Sequence, residues 1–220
     1  MGGGLLDVYR RQWPRVGAVV ALALGGLTAL AGGRLAKTRL LSAVNLLALL
    51  AHQYEEYVDP GYFAGQFNRG MFKSDSPRNY PLNPQTAMII NTALAYPFYL
   101  GPVVLRRPKW LGLAAVLLGW SQAVLHGIVI PRRAGARYGP GFLTAVLLRV
   151  PIGIAYVKAL NEEDRIGSRD WINGLGCALA ATVGGVVAPN LAMRDKNSPY
   201  EFTAAQMGPY DVDASQLASR

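Results

Sequence analysis

"LLSAVNLLALLAHQYEEYVDP", residues 40–60, is the stretch on which the fold turns. It opens as an apolar helix of membrane type and closes on a histidine and two adjacent glutamates. The apolar part, Leu40 to Ala51, is twelve residues long, and a helix needs about 20 to cross a hydrocarbon core about 30 Å thick. Either the segment stops short, or its polar end lies inside the membrane. The second reading makes one span of about Leu40 to Val58. Ionisable groups held inside membrane helices face the bundle interior and serve function.

The rest of the chain supports that reading. Of 220 residues, 51% are hydrophobic and only 16% charged, where a soluble domain carries about a quarter charged. Five further apolar runs accompany the first: about Val16–Gly33, Pro84–Leu105, Trp110–Ile130, Gly141–Lys158 and Ser168–Ala188. Asn83-Pro84 is a helix start, with an Asn cap and a proline in the first turn. Pro131 is expected to close the fourth run, and Pro151 interrupts the fifth. The expected fold is an all-α polytopic transmembrane bundle of about six membrane-spanning helices. It forms a single domain over residues 1–194, followed by a polar, loosely ordered tail over 195–220.

Net charge is +9. The basic residues sit in short clusters between apolar runs, "RRQWPR", "RLAKTR", "RRPK" and "PRRAGAR", as they do where spans meet lipid headgroups. They form no stripe with interleaved aromatics, so the expected partner is the lipid bilayer and not nucleic acid. The chain reads as a multi-pass integral membrane protein, of the plasma or inner membrane if bacterial. The basic residues divide eleven against nine between the two faces, a narrow lean towards cytoplasmic termini. Cys177 is the only cysteine and forms no internal disulfide. The sequence leaves the oligomeric state open.

Depth arithmetic gathers the polar residues into one layer. His52 lies about 18 Å along its helix, Glu56 about 24 Å, and His126 about 24 Å along the fourth span, which runs the same way. The third and fifth spans run back, bringing Asn91 and Arg149 in at about 10 and 12 Å from the shared side. Glu55 and Glu56 stand at i+3 and i+4 from His52 and can flank one point. Asn45 and Gln122 lie on the same faces as the two histidines. The candidate catalytic residues are His52, Glu55, Glu56, His126 and Arg149, with Asn91, Gln122, Asn45 and Tyr138 in support. Asp59 to Asn83, a long loop rich in aromatics, is expected to cover the pocket mouth.

His52-Gln53-Tyr54-Glu55-Glu56 spells a pattern that resembles the HXXEE family of integral membrane proteins. The later His126 and the stretch Tyr138-Gly139-Pro140-Gly141 are similar to that family too. The resemblance implies an intramembrane enzyme, because the family is regarded as enzymatic on account of these residues. From the residues themselves, three chemistries stay open. His52, Glu55, Glu56 and His126 could bind one or two divalent metals, Fe or Zn above all, and activate water or dioxygen against a lipid-like substrate. A glutamate and a histidine could work without metal as acid and base on a small apolar or amphipathic substrate, in an isomerase or cyclase. Or the chain is no enzyme, but a b-type haem electron carrier or a proton-coupled transporter. Arg149 is expected to orient a carboxylate or anchor an anionic substrate group.

Overall fold

The computed structural model describes residues 4–105 and 107–211. Among the described residues the chain is all-helical, with eight helices and no strand. Helix α1 runs Leu5–Arg34, α2 Lys37–Tyr57 and α3 over residues 63–71. Helix α4 is Pro84–Val104, α5 Lys109–Ala134, α6 Phe142–Glu163 and α7 Ser168–Met193. The short α8, Ala204–Met207, ends the described chain. Asn83 caps α4 as its sequence indicates, its side chain accepting from the Thr86 N–H at 2.9 Å.

Five of these helices, α1, α4, α5, α6 and α7, are long and apolar enough to cross a membrane, where six were expected. The missing one is α2. It has the length, 21 residues, but its last two turns carry His52, Glu55 and Glu56, which lower its hydropathy. Eleven of its residues are buried, because α2 runs through the middle of the bundle. It packs against α1, α4 and α6, and its polar end is shielded by protein where an outer helix would face lipid. Helices α1 and α7 bear many of the exposed apolar side chains, among them Leu22, Leu30, Ile172 and Leu179.

Pro131 does not close its helix. The α5 segment continues to Ala134 and stops at Gly135, which adopts the left-handed φ of 68°. A proline ring clashes with the carbonyl four residues back, and here a π-helical turn absorbs the clash. Such turns span Ile89–Leu94, Leu125–Val129, Ala145–Arg149 and Val183–Val187. Each contains the carbonyl that faces Pro97, Pro131, Pro151 or Pro189 in turn. A π turn adds a residue to the turn and is frequent at functional sites. Two of these four turns carry His126 and Arg149.

The cap on one face of the bundle is built by distant segments. Arg10 is buried, hydrogen-bonded to Gln85 and Asp7 and stacked 3.7 Å over the Tyr200 ring. The start of α1 is therefore packed protein surface as well as a membrane flank. Residues 195–211, whose polarity suggested loose order, fold back with Phe202 and Met207 buried against α3. Residues 212–220 of the expected tail lie outside the described residues, as does Arg106 of a basic cluster.

Candidate functional site

The site begins at the end of α2, where His52 and Glu56 share a face one turn apart. The Glu56 Oε1 lies 3.6 Å from His52 Nε2 and 3.2 Å from His126 Nε2. His126 comes from the π turn of α5, so the widened turn positions the second imidazole against the first. The rings meet edge to face with centroids 5.0 Å apart. All three side chains are buried, and one donor atom of each lies within 4.8 Å of the others.

The loop from α5 to α6 closes over this group. Gly141 has φ +99°, a conformation that L side chains rarely adopt. A Cβ there would sit 2.7 Å from His52 Cε1, 3.0 Å from His126 Nδ1 and 3.2 Å from Glu56 Cγ. Glycine is thus required twice, by its backbone angle and by the space the cluster occupies. Helix α3 packs against the cluster, with the Phe63 ring 5.3 Å from that of His126. Gln66, fully buried, donates to the Tyr138 carbonyl at 2.7 Å and ties α3 to the same loop.

Glu55, expected beside Glu56, faces a different partner. Its carboxylate accepts from the Leu143 and Thr144 N–H groups at 3.1 and 2.8 Å and from the Thr144 hydroxyl at 2.5 Å. The Tyr138 hydroxyl also donates to it. The first N–H groups of a helix lack internal partners, and Gly141, standing at the cap of α6, has no side chain to offer. Glu55 supplies the missing acceptor from another helix, with its charge set favourably against the helix dipole. Burial and the neighbouring carboxylate both push the Tyr138 hydroxyl up from its ordinary pKa, so it stays protonated and donates.

Thr144 links this anchor to the cluster. Its hydroxyl has a single proton, and the 2.5 Å contact to Glu55 uses it. It must then accept from His52 Nδ1, 3.1 Å away. The proton on Nδ1 leaves Nε2 as a bare lone pair directed at Glu56, and this Nε2 has no hydrogen-bond partner. On the other ring, His126 Nε2 donates to Gln122 Oε1 at 3.1 Å, so a metal on Nε2 requires that proton to move to Nδ1, which has no partner.

The remaining expected residues divide. Gln122 touches the cluster through His126. Asn91 does not: its side chain accepts from Gln53 at 3.2 Å and donates to the Ala87 carbonyl, holding α2 to α4. Asn45 lines a narrow gap with Tyr99 deeper along α2. Arg149 is buried behind the cluster, donating to the Tyr99 hydroxyl and stacked 4.9 Å over that ring. It makes no ion pair with Glu56. Sequence reasoning missed Thr144 and Gln66 and left the work of Gly141 unread. Thr144 follows three residues after the Tyr-x-Pro-Gly stretch, and that spacing is the one signal that could have found it.

The fold and the polar core define a helical protein of membrane composition built around a buried His/Glu cluster. The family model for proteins of unknown function with an HXXEE motif matches residues 43–156. The chain belongs to that family. The match runs from within α2 to about two thirds along α6 and so covers every residue of the cluster. No curated protein and no solved structure matches the chain.

Proposed function

We propose that the protein is an integral membrane enzyme whose His52, Glu56 and His126 hold one divalent metal and act on a lipid-soluble substrate. The supporting observation is the spacing of the three donors. Ligands about 2.1 Å from a tetrahedral ion lie about 3.4 Å from one another, and the two edges at Glu56 measure 3.6 and 3.2 Å. Two imidazoles and one carboxylate make the donor set of catalytic zinc sites and of non-haem iron oxygenases, both of which keep a position open for substrate. A metal held by these three residues would supply a Lewis acid in a buried site.

The chain's own residues prepare that site. Thr144, polarised by Glu55, holds the His52 proton on Nδ1 and leaves Nε2 free, the arrangement that outer partners of metal-bound histidines provide. Thr144→Val is expected to weaken metal affinity about 10- to 100-fold, while Thr144→Ser restores it. Titration with Zn(II) in detergent reads both, and equal affinities in wild type and Thr144→Val would refute the relay. The haem alternative gains nothing from the geometry: the rings stand edge to face at 5.0 Å with Glu56 between them, which leaves no slot for a porphyrin.

The enzymatic reading is tested by incubating the protein in nanodiscs with a total lipid extract and comparing products by mass spectrometry. A product made by wild type, lost in Glu56→Gln and lost on chelation is the expected result. A product equally abundant with Glu56→Gln or with chelator would remove metal-dependent catalysis by this cluster.

A further inference from the structure

We propose that Arg149 seats the carboxylate of an amphiphilic substrate, which enters through a crevice on the face of the bundle opposite α3. The inference deepens the enzymatic reading above and rests on it for the substrate's role.

The first observation is the state of Arg149. The side chain is 2% exposed. Among the described residues its one hydrogen-bond acceptor is a neutral phenol, Tyr99, and its Nε has no partner. A buried cation is costly unless paired and hydrogen-bonded. Glu56 acts on it through space without contact. The guanidinium fork matches a carboxylate's two oxygens, so the groups present leave Arg149 suited to an incoming anion. Gly119 on α5 makes the room: a Cβ there would stand 3.0 Å from Arg149 Nε.

The second observation is a way in. A crevice of about 240 Å³ opens between the ends of α2, α4, α5 and α6. Arg39, Arg107 and Lys109 stand in its wall, against Glu163 and Asp164. It reaches inward to Ser42, Gly112 and Tyr156. These three also border the gap lined by Asn45 and Tyr99, the residue that Arg149 holds; the gap is closed in this structure, with the Tyr156 hydroxyl packed on Gly112, so entry requires the Tyr156 side chain to swing aside. The opposite approach is covered, since Phe63, Gln66 and Met207 are buried in the layers above the cluster.

The third observation is the column of positions along α6. Tyr156, Arg149 and Gly141 mark the crevice floor, the anion seat and the cluster in that order. Eight residues separate Arg149 from Gly141, about 12 Å of helical rise. A carboxylate on Arg149 therefore leaves the metal cluster within reach of the substrate's apolar chain. The substrate class is a single-chain carboxylate amphiphile, transformed along its apolar part.

The test uses the full-length protein in nanodiscs and radiolabelled dodecanoate as probe, read by equilibrium binding. Wild type should bind it saturably, with dodecanol at least about tenfold weaker as a competitor, because only the carboxylate makes charge-assisted bonds. Acetate should not compete. Arg149→Gln should weaken dodecanoate at least about tenfold without changing dodecanol. Arg149→Lys keeps the charge and should recover part of the affinity, which preserves the test if Arg149→Gln does not fold. Ser42→Trp, at the neck of the crevice, should block binding. Unchanged affinity in Arg149→Gln and Arg149→Lys, parity of dodecanoate with dodecanol, or full competition by acetate would each overturn the proposal. Chelation separates it from the metal reading. Arg149-dependent binding that survives metal removal supports the seat, whereas binding lost with the metal places the carboxylate on the ion and overturns it. A protein that takes up no metal but binds dodecanoate through Arg149 would sink the metal reading alone.

Discussion

Replacing His126 with alanine should reduce the metal content of the purified protein from about one ion per chain to background. The affinity loss should exceed the 10- to 100-fold that removal of a mere hydrogen-bond partner of a ligand costs. Glu56→Gln should do the same, since it removes the donor that lies nearest both imidazoles. Glu55→Gln should not. Its carboxylate is taken up by the N-terminus of α6 and by Tyr138, so the variant should still hold about one metal, with affinity lowered by no more than the 10- to 100-fold of a lost outer partner, and lose stability by about 2 kcal/mol for weakened charge-assisted bonds. Elemental analysis after dialysis, paired with a thermal melt, separates the two adjacent glutamates. Stoichiometric metal in His126→Ala, or a Glu55→Gln protein as metal-free as Glu56→Gln, would contradict the assignment.

Gly141→Ala should damage both the fold and the cluster. Holding a non-glycine residue at φ +99° costs about 1–3 kcal/mol. Forcing a Cβ to 2.7 Å from His52 Cε1 adds about 1–3 kcal/mol of overpacking. A loss of about 4 kcal/mol is expected, together with metal binding. Gly135→Ala provides the control. That glycine has a φ of +68° but open space around it, so only the backbone cost of about 1–2 kcal/mol applies. If the two substitutions destabilise equally in a denaturation series, the methyl is not intruding on the cluster and the packing argument at Gly141 fails.

Much of this molecule could be read from residue order. Apolar runs of span length between basic clusters gave the helices, because the period and the length of such runs depend on local composition alone. The rise per residue placed His52, Glu56 and His126 at one depth, and the structure brings these three together. The same arithmetic put Asn91 in the layer, but depth carries no information on azimuth, and Asn91 faces Gln53.

What residue order determined by itself, then, is the helical class, the membrane character and the identity of a polar layer, since each follows from chemistry along one helix. Tertiary packing alone decided the rest. It divided Glu55 from Glu56, because neighbours on a helix point about 100° apart and meet different segments of the chain. It surrounded α2 with other helices, which shields its polar end. It used proline-induced π turns to carry His126 and Arg149, and it set a glycine backbone against two imidazoles. Each of these depends on which surfaces meet, a property that no single segment carries.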